Sequence, residues 1–273
     1  MHTRASLARD LRALGVKPGA VVMVHASVRA IGEVAGGPDE IHLAIKDVLG
    51  AEGTLFMYAG VPQYVDEVGR GGLTPEQEAE ILEKLPPFDP ATARCDRSNG
   101  ALVEMLRTWP GSRVNHHPTR FVAWGRQAEH LLSGQPWDFS YGRGSVLDRF
   151  VELDGRILLL GSDHDNVTFL HHAEHVLEVP GKRVVRFKVP VLEDGARAWR
   201  EMAEYDTSNG AHPSWPIDIF SRIVDEHLRA TRNTGGRVGD ARSYLMRARD
   251  LLAHALRVMH EVATAGPAPA GAG

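Results

Sequence analysis

The residues most able to do chemistry lie in one histidine-rich stretch, ILLLGSDHDNVTFLHHAEHV, at positions 157–176. The apolar run at 157–160 predicts a strand, and the pattern after a polar loop predicts a helix. On that helix His171, Glu174 and His175 stand three and four residues apart, so they share one face. Because open α/β sheets build their sites in loops beyond the carboxyl ends of strands, we expect an active site here.

Two kinds of chemistry fit this histidine face. The spelling His-x-x-Glu-His is that of the inverted zincins, a class of zinc-dependent hydrolases, in which His171 and His175 would bind zinc and Glu174 would be the general base. That interpretation needs a third ligand downstream, for which Glu201 or Glu204 is available. The other interpretation uses one histidine as a general base oriented by a carboxylate, and it needs no metal. The motif alone leaves both open, together with a purely structural role.

A second set of candidate residues lies near the N-terminus. The apolar run at 20–25 predicts a buried strand that ends at His25. Farther on, Gly36 and Gly37 precede Pro38 at the start of a predicted helix, where free N–H groups could face a phosphate. No Walker or GxGxxG motif accompanies them, so a simple turn is the more common explanation.

Strands and helices alternate along most of the chain, which is typical of a layered α/β domain. Four short apolar runs predict strands of one central sheet, at 20–25, 54–58, 121–124 and 157–160. An Asp-Gly pair at 194–195 predicts a hairpin between extended runs at 184–189 and 198–205, which we interpret as an antiparallel addition to that sheet. The last third is predicted to hold two helices, at 217–230 and 241–262.

Composition excludes several classes of protein. The 273 residues are 43% hydrophobic and 24% charged with a net charge of −4, which is typical of a globular chain and not of a nucleic-acid-binding one. No apolar run approaches the roughly 18 to 20 residues of a membrane span, and the first residues lack the apolar core of a signal peptide, so we expect a cytoplasmic protein. The single cysteine, Cys95, excludes an internal disulfide, and its thiol is interpreted as incidental.

The chain is expected to form one α/β domain with an acidic insertion. No repeat or clear linker interrupts 1–265, whereas 266–273 contains only Gly, Ala and Pro, which predicts a disordered tail. Within the domain, 61–90 holds seven acidic and two basic residues, a net charge of −5. Such a segment could attract a cation; the alternative is a solvated helix face that begins with a capping box at Thr74.

Several segments together resemble one known family, over roughly residues 8–262. They include VMVHASVRAIGEVAGGPDEI, PPFDPATAR, LLLGSDHDNVTFLHHAEH and AEYDTSN, and they are similar to the aminoglycoside 3-N-acetyltransferases. The resemblance implies a three-layer α/β/α sandwich with a mixed central sheet, of the antibiotic N-acetyltransferase type and not the general N-acetyltransferase fold. It also implies that acetyl-coenzyme A (acetyl-CoA) donates its acetyl group directly, in a ternary complex, to the 3-amino group of a 2-deoxystreptamine aminoglycoside.

The implied role is antibiotic resistance. The expected partner is therefore a polycationic aminoglycoside, with coenzyme A (CoA) as cosubstrate and no metal. We expect no nucleic acid and no membrane among the partners, and a monomer or homodimer.

The resemblance also implies roles for particular residues. His171 corresponds to the catalytic histidine, and Glu174 belongs to the same motif. Glu204 is expected to orient His171 and, with Asp206, to bind the ammonium groups of the antibiotic. The residues expected to hold CoA are His25, Ser27, Val28, Arg29, Ala30, Ile31, Gly36 and Gly37.

On the acceptor side, the acidity of 61–90 should draw a polycation towards the site. Tyr64 and Asp66, within that segment, are predicted to contact it. The reaction also needs a donor for the oxyanion that develops on the thioester. Thr168 and a backbone N–H near Ser27 are the alternatives that the sequence leaves open.

Overall fold

The computed structural model describes residues 1–63, 65 and 68–265, in which helices and strands alternate. The tail predicted at 266–273 lies outside the described residues. The first half of the chain holds α1 (Arg4–Leu14), β1 (Val21–Ala26), α2 (Val28–Ile31), α3 (Asp39–Leu49), β2 (Thr54–Tyr58), α4 (Pro75–Lys84), α5 (Ala101–Thr108), β3 (Arg113–Val114) and β4 (Phe121–Gly125). The second half holds α6 (Ala128–Leu132), α7 (Val146–Glu152), β5 (Arg156–Leu160), α8 (Leu170–Val176), β6 (Val184–Glu193), β7 (Ala196–Tyr205), α9 (Ile219–Ala230), β8 (Gly236–Val238), β9 (Ala241–Arg247) and α10 (Ala248–Ala265). None of the described helices has the length and apolar character needed to cross a membrane.

The central sheet is mixed and has β1 at its middle. Its strand order is β3-β4-β2-β1-β5-β9-β8. β1 pairs in parallel with β2 and β5, whereas β4 and β9 run antiparallel to β2 and β5 respectively. Strands covered on both faces are near-continuous apolar runs, which is why VVMV in β1 and ILLL in β5 show no polar alternation. The four strands predicted for this sheet all belong to it.

Helices cover both faces of this sheet and give three layers. Successive side chains of a strand point to opposite faces, so Ile157 and Leu159 join one hydrophobic core while Leu158 and Leu160 join the other. The first core is closed by α7, α8, α9 and α10, and the second by α1, α3 and α5. The fold is therefore the α/β/α sandwich with a mixed sheet that the resemblance implies.

The hairpin of β6 and β7 forms around Asp194 and Gly195 as predicted, but its predicted place was wrong. The two strands pair with each other in a separate two-stranded sheet, and in the described part of the chain neither joins the central sheet. Asp194 and Gly195 both have positive φ, as the tight turn requires. Alternate residues of β6, among them Val185, Phe187 and Val189, are buried in a third, smaller core. The apolar face of the hairpin is thus occupied and does not extend the main sheet.

Part of the acidic segment forms the other side of this small core. Thr74 begins α4 with the predicted capping box. Ile81 and Leu82 from α4 pack there beside Phe88, although no residue of α4 is fully buried. Glu76, Glu80 and Glu83 of α4 are exposed, whereas Glu78 is half-buried and accepts a hydrogen bond from Gly69 N. The segment is held to the hairpin by its apolar residues and by hydrogen bonds from Arg197 to the carbonyl oxygens of Leu82 and Glu83.

The C-terminal third differs from the two helices that the sequence predicts. Residues 241–247 form β9, which pairs antiparallel with β5, and α10 begins only at Ala248. The β9 sequence ARSYLMR partly alternates between buried and exposed positions. This period-two signal is short and runs directly into the helical pattern of α10, which is why the helix was predicted to start too early.

Gly125, the last residue of β4, permits a close approach to the chain just before β2. Its φ is +115°, and a Cβ at this position would overlap the carbonyl oxygen of Gly53. We expect Gly125→Ala to lower the free energy of unfolding by at least about 2 kcal/mol, from the positive φ and the backbone clash together. Urea unfolding followed by circular dichroism measures this. Gly72→Ala is the matched control, because nothing lies within 4 Å of a Cβ there; equal losses in both variants would contradict the argument.

Candidate active site

A polar cavity opens where the carboxyl ends of β1 and β5 meet the first turn of α8. Its volume is about 480 Å³, within the range of small-molecule sites. β1 contributes His25 and Ala26, the loop after β5 contributes Ser162 and Asp165, and α8 contributes His171. The other lining residues are Val24, Met57, Tyr58, Ser98, Asn99, Gly100, Asn166 and Thr168. The cavity thus lies where an open α/β sheet is expected to build a site.

His171 is held by Glu174 from the same helix. His171 Nδ1 lies 2.6 Å from Glu174 Oε2, one turn farther along α8. The side chain of Glu174 is 3% exposed, whereas that of His171 is 23% exposed. Since an ionised carboxylate can only accept, Nδ1 of a neutral His171 carries the hydrogen and Nε2 keeps the lone pair. A histidine in this tautomer can take a proton from a group in the cavity.

Aromatic side chains enclose the His171 ring. Tyr141 lies against it with ring centroids 5.0 Å apart, and Phe220 meets it edge-on at 4.9 Å. The hydroxyl of Tyr141 lies 3.3 Å from the hydroxyl of Tyr58, which lines the cavity. The orientation of the imidazole is therefore set by packing as well as by its carboxylate partner.

His25 is a neutral histidine in the cavity wall. Its Nε2 is buried and has no hydrogen-bond partner among the described residues. Burial disfavours the charged ring and lowers the pKa of His25 to about 4. At neutral pH this ring is uncharged, so it can offer a hydrogen bond to a ligand without adding a charge.

The next predicted CoA residues continue from His25 along the chain. Ser27 begins α2, and its Oγ accepts a hydrogen bond from Ala30 N. Ser27 N donates to Leu160 O, which joins α2 to the end of β5. Val28, Arg29, Ala30 and Ile31 form α2 itself. Of this set of predicted CoA residues, the described lining of the cavity includes His25 alone.

Gly36 and Gly37 precede α3, as predicted, and both have positive φ. Asp39 and Glu40 occupy the first turn of that helix. Two carboxylates complement the positive end of the helix dipole and repel a second anion. The helix start is therefore a poorer phosphate site than its glycines suggest, although the glycine turn itself is as expected.

The structure differs from the prediction that Glu204 orients His171 directly. Glu204 Oε2 lies 2.8 Å from His175 Nε2, and Oε1 accepts a hydrogen bond of 2.6 Å from Ser140 N. Spacing along the chain could not show this, because Glu204 lies on β7 and its partners lie on α8 and in the loop before α7. The carboxylate that does hold His171 is Glu174.

Asp206, predicted to bind an ammonium group of the antibiotic, already has a cationic partner. Its Oδ1 lies 3.0 Å from Nε of Arg70, and both side chains are less than 10% exposed. Asp206 directly follows β7, and Arg70 lies in the acidic segment, so this ion pair connects the hairpin to that segment. Tyr64 and Asp66, the other predicted acceptor-side residues, lie outside the described residues.

The His-x-x-Glu-His spelling does not gather metal ligands in this fold. His175 directs Nδ1 to the carbonyl oxygen of His171 and Nε2 to Glu204. Glu201, the other candidate for the third ligand, is exposed, and its Oε1 lies 3.5 Å from Nζ of Lys188 on the hairpin. Across the described chain, no three His, Cys, Asp or Glu side chains are arranged to hold a metal ion. The geometry favours the interpretation in which one histidine is a general base.

Two residues at the site were not predicted. Lys182 Nζ donates to the carbonyl oxygens of Glu174 and His175 and lies 3.8 Å above the ring of Tyr205. A lysine shortly after a helix is a usual C-terminal signal, and that signal could have found it. Tyr141 comes from a loop whose sequence gives no indication of its contact with His171.

Cys95 behaves as the sequence interpretation expects of an incidental thiol. Burial raises its pKa to about 11. Because the thiolate is the nucleophilic form, Cys95 is not an activated nucleophile.

Comparison with known proteins agrees with this architecture. The family described as aminoglycoside 3-N-acetyltransferase matches residues 23–260. The chain is 41% identical over 260 residues to aminoglycoside N(3)-acetyltransferase III of Pseudomonas aeruginosa, covering 94% of this chain and 93% of that protein. It is 39% identical to aminoglycoside N(3)-acetyltransferase VIII of Streptomyces fradiae, covering 92% and 89%.

Solved structures of the same kind share the fold. AAC-IIIb in a binary complex with CoASH superposes with a TM-score of 0.89 at 38% identity, covering 98% of this chain and 99% of that one. AAC-VIa bound to sisomicin superposes with a TM-score of 0.87 at 34% identity, covering 95% and 97%. An α/β/α sandwich around a mixed sheet, with a histidine–carboxylate pair at the carboxyl ends of the strands, is therefore the architecture of an antibiotic acetyltransferase. The chain belongs to the aminoglycoside 3-N-acetyltransferase family.

Proposed function

We propose that this enzyme transfers the acetyl group of acetyl-CoA to the 3-amino group of the 2-deoxystreptamine ring of an aminoglycoside, with His171 as general base. The observation that supports this most directly is the His171–Glu174 pair beside a cavity of about 480 Å³. It occurs in a chain whose relatives are named for this reaction. Acetylation of the amine removes a positive charge from the antibiotic, which is the basis of the expected resistance.

His171 and Glu174 supply the proton transfers that the reaction needs. His171 Nε2 accepts a proton from the attacking amine as the N–C bond forms and the C–S bond of the thioester breaks. The same proton then passes to the departing sulfur, so that CoA leaves as a thiol. Glu174 keeps the hydrogen on Nδ1 and stabilises the imidazolium between the two transfers. A base of this kind contributes about 10²- to 10⁴-fold to the rate.

The cavity suits the thioester arm of the acetyl donor. Ser98, Asn99 and Thr168 present hydroxyl or amide groups, and His25 is uncharged. These groups can pair with the amides of a neutral arm without leaving a charge unpaired. Of the two oxyanion donors that the sequence left open, Thr168 lines the cavity, whereas Ser27 N already donates to Leu160 O; we assign the role to Thr168, with the neutral ring of His25 as a second donor. The rest of CoA is proposed to lie against Ser27 to Ile31, with Gly36 and Gly37 beyond.

The acceptor is proposed to approach from the side of the acidic segment. Glu76, Glu80 and Glu83 of α4 are exposed, where they can attract a polycation over a distance of about 10 Å. Glu204 and Asp206 are already engaged by His175 and Arg70, so we assign the attraction to the exposed acids instead. We expect the enzyme to act in the cytoplasm, because its acetyl donor is made there.

The test is the release of CoA thiol from acetyl-CoA with kanamycin or gentamicin as acceptor. We expect release that a zinc chelator does not change, with an acetyl group on N3 of the product by NMR. Streptomycin, which lacks 2-deoxystreptamine, is the control acceptor and should give only background. Release that stops with the chelator, or no release with any 2-deoxystreptamine acceptor, would overturn the proposal.

A further inference from the structure

A buried hydrogen-bond network centred on Glu204 lies beneath the proposed base. Glu204 Oε2 lies 2.8 Å from His175 Nε2, and Glu204 Oε1 accepts a hydrogen bond of 2.6 Å from Ser140 N. His175 Nδ1 lies 2.7 Å from the carbonyl oxygen of His171. The side chains of His175 and Glu204 are only 1% and 2% exposed. Three hydrogen bonds therefore connect the hairpin and the loop before α7 to the backbone that carries His171.

Counting hydrogens fixes the net charge of this network. A carbonyl oxygen only accepts, so His175 Nδ1 donates to His171. The hydrogen bond between His175 Nε2 and Glu204 then needs a second hydrogen, held either by an imidazolium facing a carboxylate or by a carboxylic acid facing a neutral ring. Both arrangements are neutral overall. Glu204 therefore brings no net negative charge to the site.

The second oxygen of Glu204 holds the loop that carries Tyr141. It holds the amide of Ser140, which stands between Phe139 and Tyr141. Phe139 has a φ of +52°, an uncommon conformation for a non-glycine residue that must be maintained by its surroundings. Tyr141 follows and packs on His171 at 5.0 Å. One carboxylate thus fixes both the backbone of His171 and the ring that covers it.

We propose that Glu204 is a positioning residue: its side chain is long enough for its two oxygens to hold both hydrogen bonds, and this length, not its charge, is what matters. It holds His175 and Ser140, and through them His171 and Tyr141, in place for proton transfer. This proposal rests on the proposed role of His171. The resemblance implies that Glu204 orients His171 and binds ammonium groups; the proposal makes the first role indirect, through His175 and Ser140, and removes the second, because a buried carboxyl group whose charge is balanced by its partner does not attract a polycation.

Two substitutions separate the effect of the length of the Glu204 side chain from the effect of its charge. Glu204→Gln keeps the length: its oxygen can accept from Ser140, and its NH₂ can donate to Nε2 of a neutral His175, which still donates to His171. Glu204→Asp keeps the carboxylate but is one methylene too short to hold both partners. We expect Glu204→Gln to keep kcat and the KM for kanamycin within about threefold. We expect Glu204→Asp to lose about 10- to 100-fold in kcat, with KM for both substrates little changed.

The reverse order, with Asp active and Gln inactive, would show that charge is required and would overturn the proposal. Wild-type rates in both folded variants would overturn it too, because positioning would then be unnecessary. An NMR measurement is independent of turnover: the wild type should show two hydrogen-bonded protons in this network, one on His175 Nδ1 and one between His175 Nε2 and Glu204. Glu204→Gln should keep the Nδ1 proton, with Nε2 of the ring unprotonated. A wild type with no proton between Nε2 and Glu204 would contradict the hydrogen assignment. If the wild type has this NMR signature but acetylates nothing, the proposed function fails and the network stands.

Discussion

Replacing His171 with alanine is expected to lower kcat for acetyl transfer by about 10²- to 10⁴-fold. The imidazole is the group in the cavity that has a carboxylate on Nδ1 and a free lone pair on Nε2, so its loss removes the proton acceptor. Affinity for CoA should stay nearly unchanged, because the ring is proposed to act on the amine and the leaving sulfur. Thiol-release kinetics give kcat, and calorimetric titration with CoA gives the affinity.

The control for this variant is His260→Ala. His260 is an exposed histidine on α10, outside the described lining of the cavity. It should keep the wild-type rate. If His171→Ala instead retains more than half of that rate, His171 is not the base and the proposed mechanism fails.

Glu174→Gln is expected to have the second largest effect, a loss in kcat of about 100-fold or more. The amide can turn its NH₂ towards Nδ1 of His171, which must then accept, so the hydrogen moves to Nε2 and the cavity faces the wrong tautomer. The comparable exchange in the Ser-His-Asp triad costs about 10⁴-fold. Because Glu174 lies behind the imidazole, KM for either substrate should change much less than kcat.

A matched exchange on the surface controls for the loss of a carboxylate. Glu129 on α6 has a side chain that is 83% exposed, and Glu129→Gln should leave kcat unchanged. The two variants differ in whether the carboxylate holds an imidazole. A Glu174→Gln enzyme with kcat near that of Glu129→Gln would mean that the amide oxygen accepts from Nδ1 and keeps the tautomer, so that the charge of Glu174 is not needed.

The sequence was most informative where one local pattern determines the structure. The unbroken apolar runs of β1 and β5 predicted buried strands, because no polar residue interrupts them. The contact between His171 and Glu174 also follows from spacing alone, since residues three apart on a helix are neighbours. The catalytic roles of these two residues stay predictions until the variants are measured.

The sequence was least informative where two distant segments meet. The pairing of Glu204 with His175 joins β7 to α8 across 29 residues, and no periodic pattern in the sequence indicates it. The hairpin was assigned to the wrong sheet for a similar reason: its alternation shows that one face is buried but not against what. The strand β9 was missed because seven residues of weak alternation run into a strong helical pattern.

The place of β1 at the middle of the sheet has a consequence for biosynthesis. β1 pairs with β5, so that Val22 meets Arg156, 134 residues later in the chain. A ribosome that adds about 5 to 20 residues per second needs about 7 to 27 s to bridge that interval. During this time β2 can cover one edge of β1, while the other edge stays unpaired and open to association with other chains. His25 and His171 are brought together only after that wait, so the active site cannot form until more than half of the chain has been synthesised.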